Sequence, residues 1–302
     1  MSIKTLDEML ETVKTSENRR VVVACGNDPH TIEAAARAVK ENIVDITLVG
    51  NKKLIQEITE EKNIEINLFD IVDEQDEWKA GKKAVLMVRQ KRADILMKGL
   101  ISTADYMKLV LDKDEGLLQQ GKILSHIAVL ESPNYPKLLF IADVAVIPSP
   151  TLNQKVQILN YCIEIAHRFG IDKPKAAIIA ATEKVSLKMQ ATTDAAIITQ
   201  MARRGQIKGA IVDGPLALDV AISKESCEVK GLNSPIGGEA DILIFPNIET
   251  GNVFYKSITK LGEGRLAALV TGAAAPCILT SRADSEDSKF LSIALAAKIV
   301  KE

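Results

Sequence analysis

The stretch VVVACGNDPHTIEAAARAVK (residues 21–40) indicates the kind of fold that this chain adopts. Its opening β-branched run ends at Gly26, which is typical of a buried strand. Asp28 can cap a helix and Pro29 suits a first helical turn, so the alanine-rich half is predicted to be a helix. A buried strand followed at once by a helix is the repeating unit of an α/β protein with parallel strands.

The same alternation continues along the rest of the chain. Further strands are predicted at residues 45–50, 64–72, 94–99, 123–130, 137–147, 176–180, 209–212, 240–245, 266–271 and 277–280. Further helices are predicted at residues 52–62, 78–92, 102–111, 152–169, 193–204, 252–261 and 288–301, the last of them amphipathic. The short, proline-containing connection at 131–136 predicts that the strands on either side of it are antiparallel. The pattern as a whole predicts an α/β protein with mostly parallel sheets and helices on both faces.

Length and composition narrow the class of protein. The chain has 302 residues, which suits two domains, and 47% hydrophobic with 26% charged residues is typical of a globular protein. The net charge is −2, so the chain lacks the basic character of a nucleic-acid-binding protein. No apolar run is long enough to span a membrane, and residues 1–20 lack the apolar core of a signal peptide. Four widely spaced cysteines match no zinc or redox motif, so a cytoplasmic location is expected.

Two turns that lead from a predicted strand into a helix are candidates for binding anions. Lys98 and Gly99 offer a cation and a flexible turn, and Ser102 and Thr103 start the next helix, whose backbone N–H groups favour negative charge. The segment 246–252 has the same setting and contains Asn247, Gly251 and Asn252 as candidate binding residues.

A third candidate segment follows the last predicted strand. Ser281, Arg282 and Asp284 place a hydroxyl, a guanidinium and a carboxylate where open α/β sheets bind their ligands. A guanidinium matches two phosphate oxygens at once. The segment therefore predicts a phosphate site, although a surface turn would also explain Asp284.

Four stretches taken together resemble the phosphate acetyl/butyryltransferase family. They are MKGLISTADYMK (97–108), DGPLALDVAIS (213–223), GGEADILIFPNIETGNVFYKS (237–257) and APCILTSRADS (275–285), in the family's order. The resemblance covers most of the chain from residue 94 onward and is closest to the butyryltransferase branch. It implies an α/β fold of two domains, similar to isocitrate and isopropylmalate dehydrogenases. The expected N-terminal domain is 1–148 plus 271–302, with 149–270 inserted after a Pro-Ser-Pro hinge and the active-site cleft between the two.

The resemblance also implies roles for individual residues. Ser281 and Arg282 are expected to handle the acyl phosphate, and a carboxylate is expected to accept the proton of a thiol. Ser288 stands where acetyltransferase relatives carry that Asp, so Asp284 or Asp287 is the alternative base. Lys108 is expected to bind substrate in a position where those relatives tend to carry Arg.

The expected activity is exchange of an acyl group, butyryl in particular, between coenzyme A and inorganic phosphate by direct transfer in a ternary complex. Acyl-CoA, phosphate and acyl phosphate are the expected partners, with no metal or other cofactor, no nucleic acid and no membrane. A homo-oligomer is expected. Two alternatives stay open, a metal- and NAD-dependent decarboxylating dehydrogenase of the same fold and a non-catalytic module that senses acyl-CoA.

Overall fold

The computed structural model describes residues 2–280 and 284–300. The strands are β1 (Arg19–Ala24), β2 (Val44–Gly50), β3 (Phe69–Asp73), β4 (Ile95–Lys98), β5 (Ser125–Glu131), β6 (Leu139–Ala142), β7 (Lys175–Ile179), β8 (Ile211–Leu216), β9 (Ile242–Ile244), β10 (Arg265–Thr271) and β11 (Cys277–Ile278). The helices are α1 (Leu6–Lys14), α2 (Pro29–Lys40), α3 (Lys52–Glu61), α4 (Glu77–Arg89), α5 (Thr103–Leu111), α6 (Leu152–Arg168), α7 (Gln190–Arg203), α8 (Leu218–Ile222), α9 (Lys224–Val229), α10 (Ile248–Leu261) and α11 (Glu286–Ile299). No helix of this described part is both long enough and apolar enough to cross a membrane.

The chain divides into two compact units. The first unit comprises Asp7–Leu124 and Ala267–Glu302, and the second comprises Met1–Leu6 and Ser125–Leu266. These bounds differ from the domains 1–148 plus 271–302 and 149–270 predicted from the sequence. The difference arises because β6 pairs in parallel with β9, so the β5–β6 hairpin belongs to the sheet of the second unit.

The strand order in the first unit is β3-β2-β1-β4-β11-β10. Neighbours from β3 to β11 are parallel, and β10 is antiparallel to β11. In the second unit the order is β5-β6-β9-β7-β8, with β5 antiparallel to β6 and the remaining neighbours parallel. Each unit is therefore an α/β layer structure built on a mixed sheet.

The predicted fold class needs a correction: most neighbouring strands are parallel, as expected, but each sheet is mixed, because β5 is antiparallel to β6 and β10 to β11. Alternating β and α segments indicate where a helical crossover follows a strand, but they do not specify where a later strand inserts. β11 lies between β4 and β10, and the short connection 272–276 makes β10 and β11 antiparallel. Because such insertions depend on long-range pairing, the local pattern cannot reveal them.

Most predicted helices are confirmed, and the start of α2 is confirmed in detail. The Asp28 side chain accepts a hydrogen bond from the Thr31 N–H, and Pro29 occupies the first turn. The predicted strand 64–72 shrinks to β3, preceded by a 3₁₀ turn at Ile66–Leu68. The last helix, predicted to be amphipathic, is instead buried along most of its length. The polar residues Lys289 and Ser292 are buried together with the alanines, so polar positions in this helix did not indicate an exposed face.

Candidate active site

Three neighbouring parallel strands of the first unit end at the same edge of the sheet. β1 pairs with β4 so that Ala24 lies opposite Lys98, and β11 pairs with β4 so that Ile278 lies opposite Met97. The first residues after these strands, Cys25, Gly99 and Leu279, therefore lie at the carboxyl edge, where open α/β sheets bind ligands. The segment after β4 carries the predicted anion-binding turn.

The turn after β4 is tightly built. The Lys98 side chain is buried, and its Nζ donates to the Gly99 carbonyl oxygen at 3.1 Å. The Gly99 N–H donates to the Ala24 carbonyl at 2.9 Å. A Cβ at Gly99 would collide with the Cys25 carbonyl oxygen, so only glycine fits this crossing of two backbone segments.

The start of α5 is organised around Asp105. The Ser102 Oγ accepts from the Asp105 N–H at 3.0 Å and donates to its carboxylate at 2.8 Å, while Lys108 Nζ lies 3.2 Å from the same carboxylate. The Ser102 hydroxyl and then the Lys108 ammonium lower the pKa of Asp105. Thr103 is exposed in the first turn of the helix. The predicted substrate-binding roles of Lys98, Gly99, Ser102, Thr103 and Lys108 stay predictions.

A buried ion pair at the carboxyl edge of β1 was missed by sequence reasoning. Lys289 Nζ on α11 donates to the Asp28 carboxylate at 3.1 Å and to the Thr31 Oγ1 at 3.2 Å. Burial raises the pKa of Asp28, but the Thr31 hydrogen bonds and the Lys289 charge outweigh it and lower that pKa. A lysine near the start of a helix usually faces solvent, so nothing in the local pattern predicted this pair.

The last strand and α11 flank the predicted Ser281 and Arg282, which lie outside the described residues together with Ala283. Asp284 is half-buried, and Ser285 caps α11 by accepting from the Ser288 N–H at 3.2 Å. Of the two alternative bases, Asp287 contacts Arg37 at 3.0 Å. That ion pair involves the Asp287 carboxylate, and the choice of Asp284 or Asp287 as the base stays a prediction.

The segment 246–252 lies in the second unit and packs against the loop after β6. Asn247 caps α10 by accepting from the Thr250 N–H at 3.0 Å, and the Asn252 side chain donates to the Val144 carbonyl at 3.0 Å. A Cβ at Gly251 would collide with the Asp143 carbonyl oxygen. These contacts hold α10 on residues 143–148, and the predicted ligand-binding role of this segment stays a prediction.

Asp143 is a buried carboxylate that the sequence did not single out. It accepts hydrogen bonds from the Ser125 hydroxyl at 2.9 Å and from the backbone N–H groups of Ala145 and Val146 at 2.8 Å each. The sequence predicted a strand through this position, so nothing marked Asp143 as a functional residue. Only the tertiary structure shows that β6 ends at Ala142, directly before Asp143.

The cysteines of both units are buried thiols. Burial raises the pKa of Cys25 and of Cys277 to about 12, and it also raises the pKa of Cys162 and of Cys227. A thiol with a raised pKa is a poor nucleophile. In residues 2–280 and 284–300, no group of three or more His, Cys, Asp or Glu side chains is arranged to hold a metal ion. The absence of a metal requirement stays a prediction.

Comparison with known proteins defines the class. Residues 4–83 and 78–297 match the family model described as phosphate acetyl/butaryl transferase. The chain belongs to this family and is a phosphate acyltransferase. It is 44% identical over 297 residues to the phosphate butyryltransferase of Clostridium acetobutylicum, covering 98% of both chains. It is 43% identical over 292 residues to the phosphate acetyltransferase of Thermotoga maritima, covering 97% of this chain and 98% of the relative.

A solved structure corrects the expected fold class further. The crystal structure of a branched-chain phosphotransacylase from Enterococcus faecalis V583 matches with a TM-score of 0.83 at 33% identity, covering 93% of this chain and 99% of the other. The fold is therefore that of a phosphotransacylase, and the isocitrate dehydrogenase-like description is not retained. The predicted resemblance to the phosphate acetyl/butyryltransferase family is confirmed.

Proposed function

We propose that this enzyme exchanges an acyl group between coenzyme A and inorganic phosphate, with butyryl-CoA and phosphate giving butyryl phosphate and CoA. The observation that carries the proposal is the family match. It covers residues 4–83 and 78–297, which include the turn after β4 and the residues Ser281 and Arg282. Relatives named for butyryl and for acetyl transfer are about equally similar to the chain, so the acyl preference is part of the proposal.

The proposed reaction is direct acyl transfer. In the direction of CoA acylation, the CoA thiol loses its proton and its sulfur attacks the carbonyl carbon of the acyl phosphate. The tetrahedral intermediate then collapses, the bond from carbon to the phosphate oxygen breaks, and phosphate leaves. Arg282 neutralises the phosphate charge and Ser281 donates a hydrogen bond to the developing oxyanion. Holding both substrates together supplies much of the remaining rate enhancement.

No covalent enzyme intermediate is needed, and the state of the cysteines supports this route. Cys277 lies in β11 directly before the proposed catalytic segment, but burial raises the pKa of its thiol to about 12. It therefore stays protonated near neutral pH and does not compete with the CoA thiol, whose reference pKa is about 8.5.

The carboxylate that takes the thiol proton is proposed to be Asp284. It lies two residues after Arg282 in the chain, within the segment that carries the proposed chemistry. Asp284 is half-buried and lies next to the Ser285 cap of α11. Asp284→Asn is expected to lower kcat, measured by release of CoA, whereas Asp287→Asn should leave kcat close to that of the wild type.

The turn after β4 is proposed to bind the phosphate or the diphosphate of CoA. The ammonium group of Lys98 and the N–H groups at the start of α5 place positive charge at the carboxyl edge of the sheet. We further propose that the protein needs no metal or other cofactor, that it is a homo-oligomer, and that it works in the cytoplasm, where reduced buried thiols are usual.

One assay tests the function and its rivals together. Phosphate-dependent release of CoA from acetyl-, butyryl- and isobutyryl-CoA is measured with a thiol reagent, with and without excess EDTA. Turnover that persists in EDTA supports the proposal. Binding of CoA without turnover would favour the acyl-CoA sensor. Metal-reversible loss of activity, with NAD reduction by a 2-hydroxy acid, would favour the decarboxylating dehydrogenase.

A further inference from the structure

Helix α10 of the second unit is covered less than its apolar composition leads one to expect. It has fourteen residues, all of which the structure describes, and Gly251 is the one among them that is buried. Helix α7 has the same length and buries five residues. Val253 and Leu261 of α10 are 64% and 87% exposed. Apolar surface left open along a helix is typical of a site that another protein covers.

An uncharged stripe, called the α10 stripe below, runs along one side of this helix. The side chains that recur at intervals of three and four residues, and so share this side, are Thr250, Val253, Phe254, Ser257 and Leu261. Each of them is half-buried or exposed. Small hydroxyl side chains alternate along the stripe with larger apolar ones, an arrangement into which the side chains of a second helix can pack.

Charged residues border the α10 stripe, and their order along the helix identifies the partner. Glu249 lies in the first turn, whereas Lys256 and Lys260 lie in the second half, and all three are exposed. Two copies of the helix packed in parallel would bring like charges together. Antiparallel packing about a two-fold axis instead places Glu249 of each copy beside the lysines of the other, so every ion pair forms twice.

We propose that the α10 stripe is the contact surface between two copies of this chain, with the two α10 helices antiparallel about a two-fold axis. The apolar side chains supply the buried area, and the order of the charges sets the orientation. The inference rests on the homo-oligomer included in the proposed function and names the surface that forms it. An unrelated partner would not need charges that are complementary to those of the same helix.

The number of subunits, measured by analytical ultracentrifugation of the full chain, tests the surface. The wild type should contain an even number of copies. Val253→Glu and Leu261→Glu each bring a new carboxylate into the contact twice, and each should raise the dissociation constant by about 100-fold and halve the number of subunits. Both positions are exposed, so the circular dichroism spectrum should stay that of the wild type.

Charge reversal tests the orientation of the two helices. Glu249→Lys should raise the dissociation constant by about tenfold, because the new lysine then faces the lysines of the other copy. Adding Lys260→Glu to the same chain should restore the wild-type affinity, since the ion pair forms again with its signs exchanged. A double variant that associates no better than Glu249→Lys would overturn the antiparallel arrangement.

The matched control is Leu187→Glu, which places the same charge on a leucine that is 94% exposed in the loop after β7. This variant should keep the wild-type number of subunits. A monomeric wild type would overturn the proposal, as would an unchanged number of subunits in both Val253→Glu and Leu261→Glu. Phosphate-dependent release of CoA is measured on the same wild-type sample. A lack of turnover in a dimer that the α10 variants dissociate would reject the proposed reaction and retain this inference.

Discussion

At the scale of single residues, Arg282 is the most direct test of the chemistry. Its guanidinium is charged at every working pH and fits two phosphate oxygens. Arg282→Ala should lower kcat by roughly 10²–10³-fold, by analogy with removing one electrostatic stabiliser of a transition state. Arg282→Lys should restore only part of this, because one ammonium cannot form the paired contact. Thermal stability measured on the same variants separates the roles: near-normal turnover, or loss of activity only through unfolding, would make Arg282 structural.

The close contact at Gly99 leads to a prediction about the stability of the folded protein. A methyl group there meets the Cys25 carbonyl oxygen, and backbone atoms cannot move aside cheaply. Gly99→Ala should lower the free energy of unfolding by about 3 kcal/mol, the upper end of overpacking effects, as measured by urea denaturation.

The control for Gly99 is Gly121→Ala. Gly121 has a φ of +74° but open space around it, so only the backbone conformation is penalised, by about 1 kcal/mol. Equal stability of the two variants would show that the packing of the turn after β4 against the end of β1 does not require a glycine at position 99.

At the scale of secondary-structure elements, the pair formed by Asp28 and Lys289 joins the start of α2 to α11. The exposed fractions of the two side chains are 16% and 4%, so removing one partner leaves a buried charge. Lys289→Met should lower the free energy of unfolding by about 3–5 kcal/mol at neutral pH. Lys108→Met removes an exposed partner of Asp105 and should lower the free energy of unfolding much less, because solvent screens that pair. Equal losses in the two variants would contradict the buried character of the first pair.

The same pair predicts a dependence on pH. The folded state lowers the pKa of Asp28, so its contribution to stability is present above the unfolded pKa of about 3.9. It is lost as the pH falls through the folded pKa. The stability difference between wild type and Lys289→Met should therefore be largest near neutral pH and shrink below about pH 4. A difference that stays constant down to pH 2 would show that Asp28 does not titrate as proposed.

At the scale of the whole molecule, the acyl preference is the prediction that depends on the entire substrate pocket. Butyryl-CoA should be preferred to acetyl-CoA by kcat/KM, since additional methylene contact in a pocket is worth about 10–200-fold. Parallel measurement of the acetyl, butyryl and isobutyryl substrates under one set of conditions checks this. Equal or better use of acetyl-CoA would place the enzyme with its acetyltransferase relatives.

The amino-acid sequence by itself determined the strand–helix alternation, the Asp28 cap of α2, the antiparallel pairing of β5 with β6, and the family. These features depend on periodicity, capping chemistry and ordered motifs, all of which are local in the chain. Only the tertiary structure decided the insertion of β11 beside β4, the bounds of the two units, and the Asp28–Lys289 pair that brings residues from both ends of the chain together. It also decided that Asn252 holds α10 on the loop after β6, by donating to the Val144 carbonyl. The physical reason is that strand order and buried polar contacts depend on pairings between distant segments, whose free energy no local pattern records.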